Sequence, residues 1–397
     1  MRKISATFVF PVNSPPLKNG IVVCDDDGTV LDLIDSGGKL EEKSGLEYYS
    51  GILAPGFVNT HCHLELSHLC GKIPEKTGIG GFLGAISQLR NKQPENAETA
   101  IPKADRMMWA AGISAVGDVS NTTASIAAKQ KSKIYYHTFV ETFGFHPNRA
   151  ERAFEIACSV RNEFRSNNMP AFIVPHSPYS VSHPLFTKIN ELARKENSIL
   201  SIHNQESKSE TRFFHDGTGP IADHLQNNLG IDISHWVPTG KSPLLSVLSF
   251  LPAENQLLLI HNTFTKKEDI DVLKKSRPVN NTFWVLCPNS NRYIENQLPP
   301  LPLFRNEHLN LCLGTDSLAS NHQLSILSEM ITLQQEFPEI SFDELLNWAT
   351  LNGARALKID HQFGSFEKGK KPGVILISGV DFKTMKLSDK SAVKRLL

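Results

Sequence analysis

Nowhere in the 397 residues is there an unbroken apolar run of about eighteen, the length that a membrane-spanning helix needs, so no membrane partner is expected. Neither charge is in excess: 41 Lys and Arg face 41 Asp and Glu, which leaves nothing in the global balance to draw nucleic acid or an acidic lipid surface. The six cysteines (Cys24, Cys62, Cys70, Cys158, Cys287, Cys312) show no C-x-x-C and no regular spacing. They read as reduced thiols of a cytoplasmic protein. The chain also lacks a Walker-type loop and a G-x-G-x-x-G, which excludes the glycine cradles of nucleotide-binding folds. There is no H-E-x-x-H, and no P-C-x-x-C follows His63-Leu64-Glu65, so two common zinc-hydrolase patterns are excluded as well.

What is present begins as an ordinary globular composition, 40% hydrophobic and 21% charged, enough for one large domain and a smaller one. Met1-Arg2-Lys3 followed by Ile4 to Val12 has a faint leader-like look. The run is short, contains Ser5 and Thr7, and has no small-residue cleavage site before Pro15 and Pro16, so it reads as a first strand. Residues 4 to 53 alternate in short strand-like pieces (Ala6 to Val12, Gly20 to Asp25, Val30 to Asp35) between Asn, Asp, Gly and Pro turns.

From Pro55 the texture changes to short apolar runs followed by amphipathic segments. The runs are Phe57 to Val58, Gly117 to Val119, Ile134 to Val140, Ala171 to Pro175, Ile199 to Ile202, Leu257 to Ile260, Phe283 to Leu286 and Leu311 to Leu313. Strands alternating with helices over about 300 residues have the rhythm of an α/β fold, a (β/α)8 TIM barrel. After Ala356 a turn leads to Val374 to Ile377, a strand that returns to the N-terminal β-region. The expected organisation is therefore a small β-sandwich built from both chain termini, residues 1–54 plus 363–397, beside a barrel over residues 55–362. Between Ile202 and Leu257 lies one long connection rich in Gly, Pro and Asn, and long loops at strand C-termini usually build the substrate pocket.

Barrel catalysts carry their chemistry at the C-terminal ends of the strands, and the polar residues of this chain gather there. The first barrel strand ends in His61-Cys62-His63, whose i and i+2 imidazoles share a face. Later runs end in His176-Ser177-Pro178-Tyr179, His203-Asn204-Gln205-Glu206, His261-Asn262, Cys287-Pro288-Asn289-Ser290-Asn291 and Thr315-Asp316-Ser317. His61, His63, His203 and Asp316 offer three neutral nitrogens and one carboxylate, a donor set for one divalent ion, zinc first, with iron and manganese as alternatives. Such an ion brings the pKa of a bound water from about 16 to near neutrality. Glu206, three residues past a ligand, is placed to carry a proton to a leaving amine, and His261 to orient the attacking oxygen.

In these motifs the sequence resembles the amidohydrolase superfamily, within it the single-metal branch of hydrolytic deaminases of cytosine, guanine and adenosine type. The resemblance rests on PGFVNTHCH at 55–63, HSPYSVS at 176–182, HNQE at 203–206, HN at 261–262, GTDS at 314–317 and GSFEKGKKPGVILI at 364–377. It implies that His61, His63, His203 and Asp316 bind the metal and that Glu206 and His261 are catalytic. The lysine that bridges two metals in binuclear relatives would end the fourth strand, where this chain has Val174-Pro175-His176, so one metal is implied. In relatives that act on adenosine-like molecules the HSPY histidine lies near the sugar. His63-Leu64-Glu65-Leu66-Ser67, Gly217-Thr218-Gly219-Pro220 and Cys287-Pro288-Asn289-Ser290-Asn291 are similar to the aminodeoxyfutalosine deaminase branch. Lys371-Pro372-Gly373 departs from the usual Asp-Ala-Asp, a difference assigned to the small domain.

The expected function is metal-dependent hydrolytic deamination of an amino-substituted heterocycle, an adenosine derivative such as aminodeoxyfutalosine leading. S-adenosylhomocysteine, methylthioadenosine, guanine and cytosine are alternative substrates. Imidazolonepropionase- or triazine-type C–N hydrolysis is an alternative reaction, and a non-catalytic scaffold the remote one. His176, Glu65 and Ser317 are the expected substrate contacts, although Glu65 reads equally well as a salt-bridging loop residue. The partner is a small heterocyclic molecule, with a homodimer suggested only by analogy to relatives. His68, His215, His224, His235, His322 and the 207–256 insertion receive no role.

Overall fold

A computed structural model describes residues 1–39, 41, 44–89 and 95–397. The N-terminal strands are β1 (Arg2–Val9), β2 (Leu17–Lys18), β3 (Ile21–Cys24), β4 (Val30–Ile34) and the longer β5 (Leu46–Pro55). Eight strands that match the eight apolar runs follow: β6 (Phe57–Cys62), β7 (Ile113–Ser120), β8 (Tyr135–Thr142), β9 (Ala171–Pro175), β10 (Leu200–Asn204), β11 (Leu257–His261), β12 (Thr282–Leu286) and β13 (Asn310–Leu313). Two more, β14 (Val374–Ser378) and β15 (Ala392–Arg395), close the chain.

The fold is mixed α/β. Strands β6 to β9 pair in sequence order as one parallel sheet and β10 to β13 as another. Helices such as Ala150–Ser166, His183–Glu196 and Lys267–Ser276 fill the connections, as parallel pairing demands. Buried side chains on alternate strand positions fall into two sets. Phe57, Val116, Val140, Ile173, Leu259, Trp284 and Leu311 pack with the helices. Val58, Ala115, Phe139, Val174, Leu258, Val285 and Cys312, drawn from both sheets, pack with one another and with Ala354 and Phe363. Strands covered on both faces read as continuous apolar runs, which is why the sequence exposed them.

The terminal strands form a single seven-stranded sheet in the order β15-β14-β5-β1-β3-β4, with β2 on the edge of β1. Both chain ends therefore share one sheet as expected: β14 runs antiparallel to β5 through Val374 opposite Pro55. All the described terminal strands are joined by hydrogen bonds in this one sheet. Its β15 has no clear sequence signal, because Ala-Val-Lys-Arg is half polar and lies at the edge. No described helix is long and apolar enough to cross a membrane.

One residue, Gly56, joins β5 to β6 and so couples the two parts of the chain. A Cβ there would lie 2.0 Å from Ser114 Oγ and 2.6 Å from the Pro372 carbonyl. The same carbonyl accepts from Ser114 Oγ at 2.7 Å, and Arg395 reaches Ser114 at 3.2 Å. Lys371-Pro372-Gly373 thus belongs to this seam, away from the histidines. Gly56→Ala is expected to lower stability by about 1–3 kcal/mol, the usual cost of overpacking. Urea unfolding of the variant beside the parent protein measures it.

Candidate active site and metal centre

The ends of β6, β10 and the turn after β13 bring His61, His63, His203 and Asp316 together, with one donor atom of each within 4.8 Å of the others. His63 Nε2 lies 3.2 Å from His61 Nε2 and 3.2 Å from His203 Nε2. Asp316 Oδ1 is 3.5 Å from both His61 Nε2 and His63 Nε2. The sequence separates these four residues widely, and the backbone ties them: the Asp316 and Thr315 amides both donate to the His61 carbonyl.

The donor chemistry fits a cation. Burial lowers the His61 imidazole to about 4 and holds His63 well below its ordinary value, so both rings are neutral. His203 Nδ1 donates to the His176 carbonyl at 2.9 Å, with Glu141 Oε1 at 3.2 Å, which turns its Nε2 inward. Ser290 Oγ donates to Asp316 Oδ2 at 2.7 Å and Ser320 Oγ donates to the same oxygen. That leaves Oδ1 for the centre. Burial opposes charge on His203 but Glu141 raises it to about 10, so its ring carries a proton that a bound cation would displace, and the three ring nitrogens with the carboxylate oxygen then suit one dication.

Three of the residues that shape the site have left-handed backbone: Gln205 (φ 48°), His261 (φ 71°) and Asp316 (φ 56°). Non-glycine residues rarely take this conformation, and it gathers where a chain must aim side chains at a ligand. Ile260 faces the cluster shared by both sheets; strand alternation alone would send His261 to the opposite face. The backbone turn re-aims it. His261 Nε2 comes within 3.5 Å of Glu206 Oε1, while its Nδ1 faces Asn291 Oδ1 at 2.8 Å. Gly314 allows Asp316 in, because a Cβ there would meet His61 Cβ at 2.9 Å and Cys287 Sγ at 3.0 Å.

Glu206 is buried beside the centre. Burial pushes its carboxyl up to about 8, with His203 opposing the rise and Asp316 and Glu295 adding to it. It holds a proton at neutral pH. Burial also lowers His261 to about 4, so that ring is neutral. The backbone N–H groups of Gln205, Glu206 and Ser207 all donate to the Glu210 carboxylate, which caps the Lys208–Asp216 helix and fixes the turn carrying Glu206.

His63, His203, Glu206, His261 and Asp316 line a cavity of about 780 Å³. His176 and Ser317 line it. His176 Nδ1 is 2.7 Å from Ser180 Oγ, and Ser317 Oγ is 3.2 Å from Ser320 Oγ. Glu65 is placed differently. Its carboxylate accepts from the Asn121 and Thr122 amides and from Thr122 Oγ1, so it anchors the turn after β7 and is absent from the cavity wall. The long connection contributes the wall residues Ile221, His224, Leu225, Leu229 and Ile231. His68 Nδ1 meets the Glu65 carbonyl, His322 pairs with Glu75 at 3.1 Å, His235 meets Phe145 tilted and His146 edge-on, and His215 is exposed.

Sequence reasoning left Ser290, Ser320, Asn291 and Glu141 without roles. Ser290 and Asn291 stood in a noted strand end and gave that much signal, whereas Glu141 ends an apolar strand with no motif to mark it.

Residues 52–395 match the profile of the Amidohydrolase family. An adenosine deaminase of Helicobacter pylori is 26% identical over 328 residues, covering 82% of this chain and 78% of the relative. A 5-methylthioadenosine/S-adenosylhomocysteine deaminase of Saccharophagus degradans is 24% identical over 399 residues, 94% of this chain and 82% of the relative. The crystal structure of Helicobacter pylori aminofutalosine deaminase in complex with methylthio-coformycin shares the fold, with a TM-score of 0.80 at 24% identity over 98% of this chain and 94% of that one. With the family profile spanning most of its length, and with three histidines and an aspartate converging where the parallel strands end, this chain belongs to the amidohydrolase family.

Proposed function

We propose that this protein is a metal-dependent hydrolytic deaminase of an adenosine derivative, converting water and an aromatic amine into the oxo product and ammonia. The observation that carries the reading is the meeting of four metal donors with Glu206 and His261 at one end of a single cavity, which all of them but the fully buried His61 line. The names of the relatives, deaminases of adenosine and of its 5′-modified forms, support the substrate class.

His61, His63, His203 and Asp316 would hold one divalent ion, zinc by the chemistry of the set. That ion supplies the acidity that makes water a nucleophile near pH 7. Glu206 gives its proton to the ring nitrogen beside the amino-bearing carbon, which makes that carbon electrophilic. The regenerated carboxylate takes one proton from the attacking water and delivers it to the amino group, then takes the second from the new hydroxyl, so that ammonia leaves as the carbonyl forms and Glu206 ends protonated as it began. His261, held by Asn291, presents Nε2 beside the reacting carbon and orients the incoming oxygen. His176 and Ser317 bind the remainder of the nucleoside. The cavity walls, with Phe82, Leu83, Phe143, Phe145 and Ile156 among them, give apolar room beyond a purine. That room favours a nucleoside extended at the 5′ position, aminodeoxyfutalosine first and S-adenosylhomocysteine or methylthioadenosine next.

The same reading includes a closed (β/α)8 barrel. Its support is that both outer edges are joined: the His203 amide donates to the His176 carbonyl, and Cys62 bridges Asp316 in parallel register. The unit 55–362 is then the barrel and 1–54 with 363–397 the small domain. Six free cysteines fit a cytoplasmic setting.

A panel of purine nucleosides, free bases, pterins and triazines offered to metal-replete protein tests the function. Ammonia release with a blue shift of adenine absorbance is expected for 5′-modified adenosines. Turnover of triazines without any purine turnover would refute the substrate class.

A further inference from the structure

We propose that Glu141 is a substrate-recognition residue that accepts hydrogen bonds from the sugar hydroxyls of a nucleoside bound in the cavity. The inference rests on the deaminase reading above and names how that site selects a nucleoside. Glu141 lies near the end of β8 and lines the cavity, yet only 4% of its side chain is exposed. Its carboxylate has long contacts: His203 Nδ1 at 3.2 Å to Oε1, and Asn121 Nδ2 at 3.4 Å to Oε2. The single His203 Nδ1 proton already has a closer acceptor in the His176 carbonyl at 2.9 Å. A carboxylate has about four acceptor positions, more than His203 and Asn121 fill, and the rest can take donors from the cavity that Glu141 lines. Whatever fills the cavity is positioned to supply those donors.

An adenine nucleoside offers few. Its ring nitrogens accept, and its N–H and O–H donors are the 6-amino group and the sugar hydroxyls. The amino group must lie at Glu206 and His261, which stand on β10 and β11. Glu141 stands on β8, with β9 and its His176 between. A ring laid from Glu206 across His176 therefore carries its sugar toward Glu141. Asn121 holds that wall in place: its Nδ2 donates to the Glu141 carbonyl at 2.9 Å, and its amide is anchored by Glu65.

The test pairs deletion of the ligand group with deletion of the residue. Metal-replete parent protein, Glu141→Ala and Glu141→Gln are assayed for kcat/KM on adenosine, 2′-deoxyadenosine and 3′-deoxyadenosine. Calorimetry measures their affinity for inosine and its two deoxy forms, and bound metal is counted in each protein. In the parent protein, loss of at least one hydroxyl is expected to cost about 10- to 100-fold, the range of a hydrogen bond to a charged group. In Glu141→Ala that penalty shrinks to within about threefold with metal retained, the loss falling on KM; Glu141→Gln serves where the alanine protein does not fold. An unchanged hydroxyl penalty in the variants overturns the proposal. So does a metal deficit with an equal drop in kcat for every nucleoside, which would make Glu141 a support for His203 alone. Absence of purine turnover by the parent protein would defeat the deaminase reading, and the inosine calorimetry would still decide the role of Glu141.

Discussion

Glu206→Gln is expected to lower kcat by about 10²- to 10⁴-fold while bound metal and fold persist. The substitution isolates the proton. Burial keeps the native carboxyl protonated up to about pH 8, so an amide of the same shape replaces a neutral group with a neutral group. The turn that carries residue 206 is fixed by the Glu210 carboxylate on backbone amides and is indifferent to the side chain. What glutamine cannot do is release a proton to a ring nitrogen and regain one from water. The measurements are kcat for the preferred nucleoside, metal content and thermal unfolding of the two proteins. Activity within about threefold of the parent would remove Glu206 from the proton path.

Metal removal should be more severe. Asp316→Asn, or dialysis of the parent protein against a chelator, is expected to reduce activity on the order of a thousandfold or more, reflecting the several kcal/mol that a bound ion contributes. Asparagine keeps the shape and the contact with Ser290 and Ser320 but withdraws the only formal negative charge among the four donors. The three imidazoles then hold a dication more weakly. Restoring zinc should rescue the dialysed parent protein fully and the variant only at much higher zinc. Metal analysis together with activity against zinc concentration reads both effects. Full activity in chelated, metal-free protein would end the hydrolytic mechanism proposed for this site.

The sequence displayed much of this. Eight buried parallel strands are legible because strands covered on both faces become short uninterrupted apolar runs, and Phe57 to Cys62, Leu257 to His261 and Thr282 to Leu286 are buried throughout. The metal donors were legible because histidines and an aspartate at strand ends carry their chemistry in their residue type. Glu65 read equally well as a substrate contact or a loop residue, since a carboxylate can serve either way, and here it accepts from the Asn121 and Thr122 amides. Glu141 went unseen for the converse reason, as a charge at the end of an apolar strand with no motif around it.

The kinds of donor, their order and the strands that bear them follow from the amino-acid sequence, since burial and residue chemistry are local properties. Their convergence does not. Left-handed turns at His261 and Asp316, the register shift in β6 before Cys62, and the tight packing of Gly314 against His61 set where each side chain points. Those are consequences of neighbouring strands pressing on one another, and no stretch of chain holds that information until the sheets have assembled.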